Sequence, residues 1–222
     1  VVLIGYFMTN ADVGIYRVAL QLASLGVFVA LALENVLFPR FSCWNEEENH
    51  ERIAVSLSRA YSYSLFLAFP FCVGGWLLGD KLLYYFYGEA FTTGTIALMV
   101  LLPLYVIYVF QYLQMMTLNS LNHPKDSFWI TSVIVLINIV LNVLLIPFIG
   151  ITGAAIATLI SILISAIIGY FVLGKYIHVR IEKEPILHIL EASGIMALVV
   201  GGMRFLFPIG NLAYLIGLVF LG

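Results

Sequence analysis

The sequence predicts an all-α, polytopic bundle of transmembrane helices, on three observations. Apolar residues fill 63% of the 222 positions and charged residues only 10%, against roughly 45–50% and 25% in soluble domains. The apolar residues form long runs. Short connections rich in Gly, Pro and Asn separate those runs. A soluble fold of this size must cover its surface with polar groups, and ten basic and twelve acidic side chains, many of them clustered, are too few. In lipid the requirement reverses: the backbone satisfies itself and the outward side chains are apolar. The net charge of −2 brings no basic tract for nucleic acid and no acidic tail.

A spanning helix takes about 20 mostly apolar residues. Residues 1–9 read as the end of a span cut short, closed by Asn10-Ala11-Asp12. Residues 14–39 make the first full span, with Pro39 at its end and a charged loop at 40–54. Span 55–79 carries Pro70 inside it. In segment 80–93, the run Leu82 to Tyr87 predicts a short helix lying flat at the membrane surface, where aromatic rings favour the headgroup level. Span 94–120 carries Pro103 and stops before Asn122-His123-Pro124. Span 127–148 ends near Pro147, and Gly150-Ile151-Thr152-Gly153 leads into span 152–176. A last full span covers 187–207, and after Pro208-Ile209-Gly210 another begins near 211. Residues 133–149 are almost continuously apolar, which excludes the alternating strands of a barrel. The chain opens and closes inside apolar runs, so it reads as a fragment of a longer protein, with no signal peptide.

Basic residues orient the bundle, because cytoplasmic loops carry the excess of Lys and Arg. One side holds Arg40, Arg52, Arg59, Lys125, Lys175, Arg180 and Lys183; the other holds Arg17, Lys81 and Arg204. Loops 40–54, 121–126 and 177–186 are therefore placed in the cytoplasm.

Polar groups at membrane depth are the functional candidates. Ser127, Thr131, Asn138 and Asn142 fall within about 60° of one another on a helix, and the stripe fits either hydrogen-bonded packing or the wall of a cavity. Tyr108, Gln111 and Gln114 read as one side of span 94–120, with the same two readings. Ala154, Thr158, Ser161 and Ser165 form a small-residue face suited to close helix packing. Arg17 and Arg59 lie about one turn inside their spans and either snorkel to the headgroups or face a water-filled cavity, where a guanidinium suits a phosphate. Glu34 is too short to snorkel far and is a candidate for the bundle interior. Pro70 and Pro103 are kink or hinge candidates. Cys43 and Cys72 read as free thiols, too far apart for a disulfide. No HExxH, GxSxG or phosphate-cradling loop is present, and His50, His123, His178 and His188 lack metal spacing. No cofactor, metal or catalytic group is expected, and the run Glu46-Glu47-Glu48 reads as a solvated charge run.

Several stretches carry a family pattern. Asp12-Val13-Gly14-Ile15-Tyr16-Arg17-Val18-Ala19, Val36-Leu37-Phe38-Pro39-Arg40-Phe41-Ser42, and Asn138 to Thr158 with Asn142, Ile146-Pro147, Gly150 and Gly153-Ala154-Ala155-Ile156-Ala157-Thr158 occur in the family's order and spacing. Pro70, Gly88 and Lys125 fit as well. The chain thereby resembles the oligosaccharide-lipid flippases of the multidrug/oligosaccharidyl-lipid/polysaccharide (MOP) exporter superfamily, the Wzx-like branch of polysaccharide biosynthesis. The resemblance implies the C-terminal lobe of a MATE-like fold, with truncated helix seven through helix twelve at 1–177 and helix thirteen with the start of fourteen at 178–222. The N-terminal lobe of the same chain would be missing. The implied function is alternating-access flipping of a lipid-linked, pyrophosphate-bearing oligosaccharide across the cytoplasmic membrane of a bacterium or archaeon. The implied partners are that glycan lipid, membrane lipids, and glycan polymerase or export proteins. Under this reading Arg17 and Arg59 attract the headgroup, and Glu34, Gln111, Gln114, Asn138 and Asn142 line the cavity. The rivals are a cation-coupled drug exporter, for which Glu34 is the one deep carboxylate, a lipid II flippase of the same superfamily, and a membrane glycosyltransferase or polymerase of the same pathway.

Overall fold

The computed structural model describes residues 1–179, 183–206 and 217. It is helical throughout those segments apart from short turns. In chain order the helices are α1 (Val2–Phe7), α2 (Asn10–Ser24), α3 (Phe28–Glu46), α4 (His50–Tyr87), α5 (Thr95–Ser120), α6 (Pro124–Leu173) and α7 (Lys183–Leu206). A 3-10 turn, Leu25–Val27, joins α2 to α3, and another, Glu89–Gly94, leads into α5. Among the described residues, five helical segments are long and apolar enough to cross a membrane. The longest of them, α6, holds two of the six expected spans. Arg180, Pro208-Ile209-Gly210 and the span expected from 211 lie outside the described residues.

Local chemistry explains the helix ends and corrects four expectations. Asn10-Ala11-Asp12 is the first turn of α2, because Thr9 and Asp12 form a capping box: Asp12 N–H donates to Thr9 Oγ1 at 3.3 Å, and Thr9 N–H donates to Asp12 Oδ2 at 3.1 Å. Pro39 sits inside α3, which continues to Glu46. The Arg52 N–H donates to Asn49 Oδ1 at 3.2 Å and caps the start of α4. The flat surface helix expected at 82–87 does not form. No breaker interrupts Gly79 to Tyr87, and Leu83 is fully buried, so α4 runs on to Tyr87. The first span is divided at Leu25–Val27, a break the sequence reading missed. Pro70 and Pro103 lie inside the continuous helices α4 and α5.

The two halves of α6 are separated at Ile149 (φ −127°, ψ 17°) and Gly150 (φ 59°, ψ −140°). Glycine alone adopts the second of these freely. The halves then run antiparallel, as the contact of Asn138 with Thr158 and Ser161 requires.

Two apolar clusters stack along the bundle. One gathers Phe41, Ile53, Leu57, Leu113, Ile130 and Leu173 near the basic loops. The other gathers Ile4, Tyr16, Leu83, Leu98, Leu101 and Ile146 near the opposite end. Helix α7 lies along α4, with Leu78 and Val200 buried between them. The outward face is apolar too: Leu136 is 64% exposed, Leu198 78% and Phe148 85%. Such an apolar exterior around an apolar core is costly in water and matches lipid. Several hydroxyls within the spans bond back to their own helix, as Thr117 to Leu113 O (2.7 Å) and Ser161 to Ala157 O (2.7 Å) do, which satisfies those donors without water. The chain is a multi-pass membrane protein.

Candidate functional site

The polar groups within the spans separate into three places. The first is the seam between α3 and α5. Tyr105, Tyr108 and Tyr112 follow i, i+3, i+7 spacing and share one side of α5. Ring centroids are 5.8 Å apart for Tyr105–Tyr108 and 5.9 Å for Tyr108–Tyr112. Tyr112 donates its hydroxyl to Glu34 on α3, so Glu34 faces a helix neighbour and is half-buried. Of these tyrosines only Tyr108 is among the candidates named from the sequence, although the spacing of all three is visible there. Gln114 does not share this side: it lies about 120° around the helix from Tyr108, is 5% exposed, and packs against Gly169 of α6. Gln111 lies between the two directions and is half-buried. The expected single face of Tyr108, Gln111 and Gln114 is therefore divided.

The second place is inside α6. The Asn138 side-chain amide donates to Ser161 Oγ at 3.4 Å and to Thr158 Oγ1 at 3.5 Å, and Asn142 donates to Asn138 Oδ1 at 2.9 Å and to Asn138 O at 2.7 Å. Ser127, at the start of the same stripe, contacts Met115 of α5 at 3.6 Å. Ser127, Asn138 and Asn142 thus turn toward protein, whereas Thr131 is exposed and donates back to Ser127 O at 2.8 Å.

The third place is the face between α4 and α7, where Arg59 lies; Arg17, next to Tyr16 of the second cluster, is at the opposite end of the bundle and is not brought near it. Arg17 on α2 and Arg59 on α4 are exposed. Arg59 borders a space of about 700 Å³ between α4 and the start of α7, which Ser62, Tyr63, His188 and Ile189 also line. Phe66 belongs both to this space and to an apolar groove of about 610 Å³ farther along α4 and α7. Leu22, Pro70, Leu78, Leu102 and Met196 line that groove, so Pro70 is a groove residue as well as a helix interior one. At the far end of the groove Arg204 closes α7 on α4. It donates to Asp80 Oδ2 at 2.9 Å and to the carbonyl of Leu77. In sequence Arg204 is only a loop charge, since nothing in spacing pairs residues so distant in the chain.

At the basic end, past the last residue of α6 (Leu173) and so beyond the span expected to reach 176, Tyr176 donates to Asp126 Oδ2 at 2.7 Å and stacks on His123 at 3.7 Å. The bond to the Asp126 carboxylate raises the Tyr176 pKa above its ordinary value. Among the described residues, no three His, Cys, Asp or Glu side chains gather as a metal site. Cys43 and Cys72 are free.

A family model described as the lipid II flippase MurJ matches residues 9–221. A probable flippase of Haloferax volcanii, AglR, is 32% identical over 213 residues, covering 95% of this chain and 44% of that protein. A probable low-salt glycan biosynthesis flippase of the same organism, Agl15, is 27% identical over 222 residues, covering all of this chain and 47% of that protein. The chain thus spans about half the length of the curated relatives it matches. Among solved structures, lipid II flippase MurJ in an inward closed conformation superposes with a TM-score of 0.79 at 19% identity, over 95% of this chain and 44% of that one. It shares this fold, as the MOP resemblance implies. With the family model matched over nearly its whole length, the chain belongs to the MurJ lipid flippase family.

Proposed function

We propose that this chain forms the C-terminal lobe of a flippase that carries a lipid-linked, pyrophosphate-bearing oligosaccharide across the cytoplasmic membrane by alternating access, with residues 1–177 as the lobe and 178–222 as added helices. The observation that carries the reading is the apolar groove between α4 and α7 meeting, at Phe66, a space bordered by Arg59 and His188. An isoprenoid-like chain fits the first and an anionic headgroup the second. The physical problem is a charged, hydrated group crossing hydrocarbon. A cavity of polar side chains replaces its water while the tail stays in lipid.

In this reading Arg17 and Arg59 attract the phosphate. Glu34, Tyr108 and Gln111 form the wall that faces the other lobe. Gln114, Asn138 and Asn142 hold the helices in register. Pro70 and Pro103 let α4 and α5 bend. The chain does no covalent chemistry, and its partners are the glycan lipid, the N-terminal lobe and the enzymes that make or polymerise the glycan. The named relatives support the substrate class, being described as flippases, one of them of glycan biosynthesis.

The test is complementation of a flippase-deficient strain with the full-length gene, scored by surface glycan, alongside Arg59→Glu. Restoration by the native gene, with a loss of at least about tenfold in Arg59→Glu, supports the assignment. Drug resistance gained without surface glycan overturns it in favour of a cation-coupled exporter. Glycan extension by the purified protein overturns it in favour of a membrane transferase.

A further inference from the structure

The geometry points to a binding site for the phosphate of a lipid headgroup at the basic end of the α3–α4 hairpin, built from Arg40, Arg52 and Arg59. These three side chains border one depression of about 450 Å³ together with Trp44, Ser56 and Glu51. Arg52 and Arg59 are seven residues apart on α4, two helical turns, so they point the same way. Arg40 faces them from α3. All three are exposed, and the one ion pair among the described residues belongs to Arg204 and Asp80. Three guanidiniums therefore face one carboxylate, Glu51, without a protein anion bound to any of them.

Two further features shape the site. The Arg52 guanidinium lies 4.4 Å over the Trp44 ring, which orders it against the hairpin while leaving its N–H edge free. The first turn of α4 opens beside it, with Asn49 as cap, and adds the positive end of a 38-residue helix. Planar guanidiniums bind phosphate oxygens in pairs. A tryptophan beside exposed arginines places the site at headgroup depth. Arg59 belongs to this depression and to the space that leads toward the apolar groove. A headgroup held here has its chain directed along α4 into a surface that is already apolar. That continuity selects a phosphate tethered to lipid over a soluble one.

The site rests on the placement of the hairpin at a membrane surface and does not require transport. Binding is therefore measured without flipping. The full-length protein is equilibrated with phosphatidylcholine vesicles containing phosphatidylglycerol, and retained lipid is counted by native mass spectrometry. The combined variant Arg40→Gln, Arg52→Gln, Arg59→Gln is expected to bind phosphatidylglycerol at least about tenfold more weakly, with phosphatidylcholine unchanged. Glu51→Gln, which removes the opposing charge, is expected to bind it a few-fold more tightly, a gain that misfolding cannot produce. Retention unchanged in both variants overturns the site. Competition by inorganic pyrophosphate as strong as that by an equal concentration of a polyprenyl phosphate also overturns it, because the tether would then contribute nothing. If these binding results hold and complementation fails, the headgroup site stands and the transport assignment falls.

Discussion

Tyr112 on α5 donates its hydroxyl to the carboxylate of Glu34 on α3. The bond ties α3, which begins just after the break at Leu25–Val27, to α5, and it holds the Glu34 carboxylate in place within its span. Tyr108 and Tyr105 continue the line along α5, Tyr105 packing in the cluster that holds Tyr16 of α2, so this side of α5 is polar along about two turns.

Removing either partner should cost the same bond. Hydrogen bonds to a charged group contribute about 1.5–3 kcal/mol when buried, and pairs between membrane helices average nearer 0.6 kcal/mol. Since both groups here are half-buried, Tyr112→Phe and Glu34→Met, which remove the donor and the acceptor respectively, are each expected to lower stability by about 1 kcal/mol. The double variant should cost little more than either single one. Thermal unfolding in detergent reads this directly. Costs that simply add would mean that the two side chains act independently.

Arg204 and Asp80 fasten the groove end of α7. Their side chains are 36% and 33% exposed, so screening reduces the pair. Arg204 bonds Asp80 Oδ2, while the buried Oδ1 has no hydrogen-bond partner among the described residues. Arg204→Ala is expected to lower stability by about 1 kcal/mol and to speed hydrogen exchange in 196–203 while leaving α5 unchanged. Asp80→Asn, which keeps an acceptor, should show a smaller acceleration. Uniform exchange across the bundle would remove the clamp from this account.

How much of this was legible beforehand follows from physics at two ranges. The spans were readable because lipid demands long apolar runs, and the turn at Asn122-His123-Pro124 because it cannot sit in hydrocarbon; the charged 40–54 segment reads as a loop, yet only 47–49 of it lies between helices. The continuation of α4 through Leu82–Tyr87 was not. An aromatic run looks the same flat at an interface or upright against a neighbour, and only the burial of Leu83 decides. For Asn138 and Asn142 the shared face was correct, but its partner was undetermined until the second half of α6 was seen to fold back on it. The pairing of Glu34 with Tyr112, 78 positions apart, and that of Arg204 with Asp80 depend on helix packing that no local spacing encodes.

The turn that folds α6 back depends on two glycines. Gly150 has φ 59° and ψ −140°, a conformation that costs other residues about 1–3 kcal/mol. A Cβ at Gly153 would lie 2.6 Å from the Leu145 carbonyl oxygen, and backbone cannot yield as a side chain does. Gly150→Ala and Gly153→Ala are each expected to lower the unfolding free energy by about 1–3 kcal/mol. Gly194→Ala, where nothing lies within 4 Å of the added carbon, should be close to neutral. Equal melting temperatures for all three would show that the turn tolerates a side chain.

Alkaline pH tests the other closure of α6, at Tyr176 and Asp126. The carboxylate favours the protonated tyrosine in the folded chain and raises its pKa there. Below about pH 10, the ordinary tyrosine value, both folded and unfolded chains keep the proton and the contribution is complete. Above it the unfolded chain releases the proton first, and the contribution disappears as the pH rises through the folded value. The native protein in detergent should therefore lose melting temperature more steeply above pH 10 than Tyr176→Phe, in which no phenol titrates at this position. Asp126→Asn should flatten the same limb, because the neutral amide no longer favours the protonated phenol over the phenolate. Parallel alkaline slopes in the native protein and both variants would place the closure elsewhere, with the stacking of His123 on Tyr176 as the contact then holding the two ends of α6 together.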